Sequence, residues 1–223
     1  KLIKVIYYMK NLITILCLSI NLVLGCIDGI EVELWGECYN IEETTHLYLT
    51  GHWYDPDNQL TGEIPSEIGE LVNLEQIYLD GNLLSGEIPS EIGLLVNLTI
   101  LKLNNNPLTG EIPSEVGNLT NLTNLSIYTT QISGEIPSDI GELVNLELLY
   151  LSGNDLSGEI PSTIGNLTNL TYLDLSLNEL TGEIPLEIGN LTNLIQLWSY
   201  HNQLTGVIPS EIGNLTNLTS LVL

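Results

Sequence analysis

Histidines, paired carboxylates and cysteines are the residues here whose types could do chemistry. The histidines are His46, His52 and His201. A general base has to reach the proton it removes. On the repeat described below, His46 and His201 stand about six turns apart, or ~30 Å at the spacing of stacked strands. No catalytic triad assembles from them. The carboxylates recur in register, with Glu63, Glu87, Glu111, Glu135, Glu159 and Glu183 in one column and Glu67, Glu91, Glu115, Asp139, Glu187 and Glu211 in another. Paired carboxylates can run acid–base chemistry, but repetition copies any framework residue into a ladder. These columns read as a solvated acidic face, able at most to hold divalent cations loosely. Asp55-Pro56-Asp57-Asn58 offers oxygens as a calcium loop does, yet lacks the glycine and the terminal glutamate of such a loop, and reads as a turn. There is no Gly-x-Ser-x-Gly elbow, no glycine-rich phosphate loop with lysine, and no Cys/His set at zinc spacing. The sequence assigns no catalytic residue, no metal site and no cofactor.

Charge narrows the partners. The chain has 28 acidic residues and no arginine, and its four basic residues are Lys1, Lys4, Lys10 and Lys102. Past the N-terminal apolar run only Lys102 remains, so the net charge there is 1 minus 28, or −27. Nucleic acid is excluded, because its affinity for protein rests mainly on lysine and arginine neutralising phosphates. Anionic membrane surfaces are disfavoured for the same reason, and saline surroundings are tolerated because salt screens the self-repulsion.

Met9, Lys10 and the mostly apolar run Leu12 to Leu24 have the length and flank of a signal peptide, too short for a spanning helix. Residues 1–25 are expected to be this signal, with 1–8 as upstream read-through, and the protein is expected to be extracellular or on the cell surface. Cys17 lies inside the run. Val23-Leu24-Gly25-Cys26 resembles a bacterial lipobox, in which the cysteine carries a lipid. Cleavage after Gly25 instead leaves Cys26 and Cys38 as the two cysteines of the exported chain, which points to one disulfide. Both readings stand at this level.

Gly-Glu-Ile-Pro begins at Gly62, Gly86, Gly110, Gly134, Gly158 and Gly182, and Gly-Val-Ile-Pro follows at Gly206, a period of 24. Within each period runs L-x-x-L-x-L-x-x-N-x-L, as in Leu74, Ile77, Leu79, Asn82 and Leu84. This pattern resembles the leucine-rich repeat, and the Gly-x-Ile-Pro-x-x-Ile-Gly-x-Leu segment is similar to its plant-specific subclass, over residues 44–223. Leu34-Trp35-Gly36-Glu37-Cys38 is similar to the N-terminal cap of such proteins, where paired cysteines close the first turn, so residues 26–43 are expected to be a cap. The implied fold is α/β: a right-handed leucine-rich-repeat solenoid with a parallel concave β-sheet and a 3₁₀ or irregular convex side.

The physics agrees with the resemblance. Leu-x-Leu alternation buries two residues and turns the one between them outward. A single turn cannot bury its own leucines, so stacking does it. The Ile-Pro step, extended and lacking an amide donor, favours a short or irregular convex side. Asn82, Asn106, Asn154, Asn178 and Asn202 fall where a side-chain amide can pair with turn backbone. The first turn is irregular: His52 takes the asparagine position, and Trp53 to Asp57 are expected to bulge. The chain stops at Leu223 inside a strand with no polar capping repeat, which predicts a longer natural protein. Asn-x-Ser/Thr sequons, mostly copies of Asn-Leu-Thr, become glycosylation sites only on exposed asparagines in a eukaryotic host.

Outward residues of the concave strands escape the framework. The central column runs Tyr48, Tyr78, Lys102, Ser126, Tyr150, Asp174, Trp198 and Val222, with Tyr172, Tyr128 and Tyr200 in flanking columns. Tyrosine suits strands intrinsically, but exposed aromatic clusters mark recognition sites. The expected ligand-binding residues are Tyr78, Tyr128, Tyr150, Tyr172, Trp198, Tyr200 and His201, with the ligand on the fourth to seventh strands. The expected function is extracellular recognition or adhesion with a protein, peptide or glycan ligand. An acidic surface array without a pocket, and the sensor part of a larger receptor kinase or enzyme, are the alternatives. Membrane association would come only from a lipid on Cys26 or from an anchor beyond Leu223.

Overall fold

The computed structural model describes residues 25–51 and 59–223. The apolar run before Gly25, His52, the expected bulge at Trp53 to Asp57 and the calcium-like residues 55–58 lie outside these.

Three-residue strands recur once per period: His46–Tyr48, Gln76–Tyr78, Ile100–Lys102, Asn124–Ser126, Leu148–Tyr150, Tyr172–Asp174, Gln196–Trp198 and Ser220–Val222. They form one eight-stranded parallel sheet in chain order, each middle residue in register with the next, as Leu149 with Leu173. The alternation explains the burial. Leu47, Ile77, Leu101, Leu125 and Leu149 are sealed in the core, as are Leu79, Leu103, Ile127 and Leu151 two positions later. Each such side chain contributes roughly 1.5–3 kcal/mol, and only because a neighbouring turn covers it. The exception is Ser199, which holds the second inward position of its turn. Its Oγ is buried without a hydrogen-bond partner, beside an open cavity of about 250 Å³ that Leu204 and Leu223 also line.

Opposite the sheet, seven 3₁₀ segments follow the prolines, from Ser66–Glu70 to Ser210–Asn214. Proline supplies the turn into each, as at Pro113 (φ −65°, ψ 138°), and the following leucine closes it, Leu119 N–H donating to the Val116 carbonyl. The described residues contain no α-helix, so the helical layer of this α/β arrangement is entirely 3₁₀. None of their helices is long and apolar enough to cross a membrane. Beside the main sheet runs a second, broken parallel ladder that pairs Thr61–Gly62 with Leu83–Leu84 and Ser133–Glu135 with Asp155–Ser157.

Two features hold the bends. Buried asparagines stitch turn to turn: Asn106 Nδ2 donates to the Leu79 and Leu103 carbonyls, each at 2.9 Å, while its Oδ1 accepts from Leu84 N–H at 3.0 Å. One position earlier the backbone is left-handed in successive turns, at Gly81 (φ 73°), Asn105 (56°), Thr129 (54°), Gly153 (66°), Leu177 (55°) and His201 (54°). Glycine or asparagine takes that geometry readily, whereas threonine and leucine take it only because the stacked turns on either side impose it.

At the N-terminal end, Glu31–Leu34 pairs antiparallel with Glu37–Asn40. Trp35 (φ 50°) and Gly36 (φ 83°) form the two-residue bend, both left-handed as a tight hairpin requires. Val32 and Leu34 point into the core, and Trp35 Nε1 donates to the Glu63 carbonyl at 3.1 Å. Cys26 and Cys38 are joined as a disulfide with Cα atoms 5.5 Å apart, which occupies the sulfur that a lipid on Cys26 would need.

Candidate functional site

Register places the outward residues of all eight strands in one column, since Tyr48 pairs with Tyr78, Tyr78 with Lys102, Lys102 with Ser126, Ser126 with Tyr150, Tyr150 with Asp174, Asp174 with Trp198 and Trp198 with Val222. Neighbours in such a column stand ~4.8 Å apart, so side chains from successive turns meet although 24 residues separate them, or 30 between Tyr48 and Tyr78. The face divides into distinct groups.

At the N-terminal side, His46 stacks on Tyr48 with ring centroids 5.3 Å apart, and Tyr48 lies 5.1 Å from Tyr78. Tyr48 is 63% exposed, and its hydroxyl donates to Gln76 Oε1 at 2.9 Å. The Lys102 ammonium sits 5.0 Å from the centre of the Tyr78 ring.

Next comes a cavity of about 490 Å³ lined by Asp80, Lys102, Asn104, Asn124, Ser126, Tyr128, Leu148, Tyr150, Ser152 and Asp174. Ligand pockets commonly run from roughly 300 to 1,000 Å³. Two of the expected residues meet in its wall, as Tyr128 and Tyr150 pack edge to face at 6.4 Å. Burial, and then the adjacent Tyr172, Asp174 and Tyr128, push the Tyr150 phenol above its ordinary pKa. Asp174 is 9% exposed, and its Oδ1 accepts from the Ser176 amide at 3.0 Å and from the Ser176 hydroxyl at 2.6 Å.

Toward the C-terminal side, Asp174 stands between Tyr150 and Trp198 in the column, so these two rings are not neighbours. Trp198 Nε1 donates to Ser220 Oγ at 2.9 Å. Tyr200 and His201 meet edge to face at 5.3 Å, with His201 exposed on its left-handed bend. The expected site residues therefore all lie on the described sheet face or at its edge, but in separate groups. Aromatic count alone did not bring Asp80, Asn104, Asn124 and Ser152 into the site. The signal available in the sequence was the pair of charges, Lys102 and Asp174, in an otherwise uncharged column.

The repeated carboxylates do not converge: among the described residues no group of three or more His, Cys, Asp or Glu is placed to hold a metal ion. Asn124, of the sequon Asn124-Leu125-Ser126, lies in a concave strand with its Oδ1 accepting from the Ser126 hydroxyl at 3.0 Å, and the other sequons divide in two. Asn97, Asn121, Asn169 and Asn217 donate through Nδ2 to carbonyls of the preceding turn at 2.9–3.0 Å, whereas Asn118, Asn166, Asn190 and Asn214 end 3₁₀ segments exposed.

The family profile described as "Leucine-rich repeat region" matches residues 125–223, and that described as "Leucine Rich Repeat" matches 73–95 and 97–119. The chain belongs to the leucine-rich-repeat family. No curated protein matches it in sequence. Among solved structures, this leucine-rich-repeat chain is similar to the ectodomain of the Arabidopsis thaliana membrane receptor kinase GASSHO1/SCHENGEN3, solved with CASPARIAN STRIP INTEGRITY FACTOR 2. Identity is 42% and the TM-score 0.72, over 73% of this chain and 20% of that one. It is also similar to the Arabidopsis receptor kinase HAESA, solved with the peptide hormone IDA and the co-receptor SERK1, at 41% identity and TM-score 0.72 over 74% and 28% of the two chains. A plant ice-binding protein shares 31% identity at TM-score 0.64, over 74% of this chain and 61% of that one. The chain thus spans between a fifth and about three tenths of the two receptor ectodomains. The solved structures it resembles here are receptor ectodomains and an ice-binding protein.

Proposed function

We propose that this leucine-rich-repeat protein is an extracellular or cell-surface recognition module that binds a peptide across its concave sheet, over the third to seventh strands. The observation that carries the reading is the cavity between Lys102 and Asp174 with Tyr128 and Tyr150 in its wall. It joins flat apolar rings to a few directional polar groups, the composition expected of a recognition pocket. The similar HAESA structure is solved with a peptide hormone, and the Cys26–Cys38 disulfide suits an oxidising compartment. Similarity to an ice-binding protein shows that the scaffold by itself does not choose the ligand. The choice falls to the outward columns. Residues 1–25 act in this reading as the export signal and 26–43 as the cap.

The test is panning of random 12-residue peptides displayed on phage against the oxidised protein, with Tyr150→Ala and Trp198→Ala as comparisons. The reading expects enrichment on the parent protein that Tyr150→Ala abolishes, with quenching of Trp198 fluorescence by the enriched peptide. Enrichment indifferent to both substitutions would move the binding surface off the concave face.

A further inference from the structure

We propose that Lys102 and Asp174 set the register of the bound peptide, so that the concave face selects a linear segment carrying one acidic and one basic side chain four residues apart. This rests on the concave face being the peptide site.

The outward column holds eight residues, and these two are its charged members, opposite in sign. Ser126 and Tyr150 separate them, so they stand three strand steps apart. At ~4.8 Å per step that is about 14 Å. An extended chain advances ~3.3–3.6 Å per residue, which puts side chains four residues apart at nearly the same distance. Both charges line the same cavity, so one ligand segment spans them.

Each charge is available. Lys102 is the one basic residue among the described residues, and its ammonium contacts the Tyr78 ring rather than a carboxylate. A ligand carboxylate offers it a charge-assisted hydrogen bond, a stronger contact than an exposed ring face. Asp174 is held through Oδ1 by Ser176, and its Oδ2, with no protein donor, opens to solvent at the cavity wall. A basic ligand side chain that reaches this oxygen replaces its water with a donor of opposite charge, in a charge-assisted hydrogen bond. Asp80 lies in the same wall and accepts from Thr50 Oγ1 at 3.2 Å. With 28 acidic residues on the chain, long-range repulsion rejects a peptide of net negative charge. The selected segment is therefore neutral or positive overall, with its acidic group at Lys102.

Panning the same 12-residue phage library on the parent protein and on Lys102→Glu and Asp174→Asn tests the register. Asp174→Asn keeps the side-chain shape and an oxygen for Ser176, and circular dichroism melts verify that both variants fold. Peptides enriched on the parent should carry Asp or Glu and Lys or Arg four positions apart. On Lys102→Glu the acidic position should turn basic, and on Asp174→Asn the basic preference should vanish while the acidic one stays. A synthetic copy of the parent consensus should bind Lys102→Glu about tenfold more weakly in fluorescence anisotropy. Enriched peptides without a fixed charge spacing, or with a spacing that neither substitution alters, overturn the register. Loss of that binding on Tyr150→Ala would then still leave the concave-face reading standing. Absence of enrichment, or enrichment indifferent to Tyr150→Ala, overturns both.

Discussion

Tyr78 and Lys102 stand side by side in the outward column of adjacent strands, with the ammonium 5.0 Å from the ring centre. In a chain with 28 acidic residues, the one cation of the described region rests on an aromatic face and neutralises no carboxylate.

Charge repulsion is accordingly left uncompensated, and stability should rise with salt. The midpoint of thermal unfolding is expected to climb by roughly several degrees between dilute buffer and about 0.5 M NaCl, as the screening length shortens to ~4 Å. An unchanged or lower midpoint would show that repulsion between the acidic ladders is not a major term.

Asn106 satisfies two carbonyls and one amide that face no water. Asn106→Ala strands the Leu103 carbonyl and the Leu84 amide, while the Leu79 carbonyl keeps its bond from Asn82 Nδ2, and is expected to cost about 2 kcal/mol or more in urea unfolding. Asn202 makes equivalent bonds to the Leu175 and Ser199 carbonyls and the Leu180 amide, but in a half-buried bend. Water can replace those partners, so Asn202→Ala should cost clearly less. Equal costs would mean that burial does not set the worth of the ladder.

Gly141 holds a framework position that recurs at Gly117 and Gly165 in the neighbouring turns. A Cβ on Gly141 would lie 2.6 Å from the Thr163 carbonyl oxygen of the next turn. Gly141→Ala is expected to push the turns apart and cost roughly 1–3 kcal/mol. Differential scanning calorimetry of the variant decides it; a neutral Gly141→Ala would show that the stack yields more readily than its backbone contacts imply.

Ser199 is the weak inward position, its hydroxyl buried and unpartnered beside the cavity that Leu204 and Leu223 line. Ser199→Leu restores the framework residue, removes the stranded hydroxyl and fills the space. A stabilisation of about 1–3 kcal/mol is expected from chemical denaturation. Destabilisation would mean that the site has no room for a leucine without displacing its neighbours.

The sequence by itself determined the solenoid. A 24-residue period with inward leucines, a turn asparagine and Ile-Pro leaves stacked parallel strands with a 3₁₀ back as the arrangement that buries every turn. It also determined which residues face outward, because alternation along a strand is a local property that a single turn already expresses. The Trp35–Gly36 bend was not foreseen, since tryptophan is not a residue that announces a left-handed turn. Thr129 and Leu177 concealed the left-handed bend for the same reason: contacts between stacked turns, not local preference, hold them at φ 54° and 55°. The grouping of the face was decided only by tertiary structure. Which rings touch depends on rotamers and on what stands in the neighbouring turns, so Tyr128 meets Tyr150 while Asp174 parts Tyr150 from Trp198. The cavity between Lys102 and Asp174 exists only because four strands, each 24 residues from the next, are brought to within a few ångströms by the stacking of the leucines beneath them.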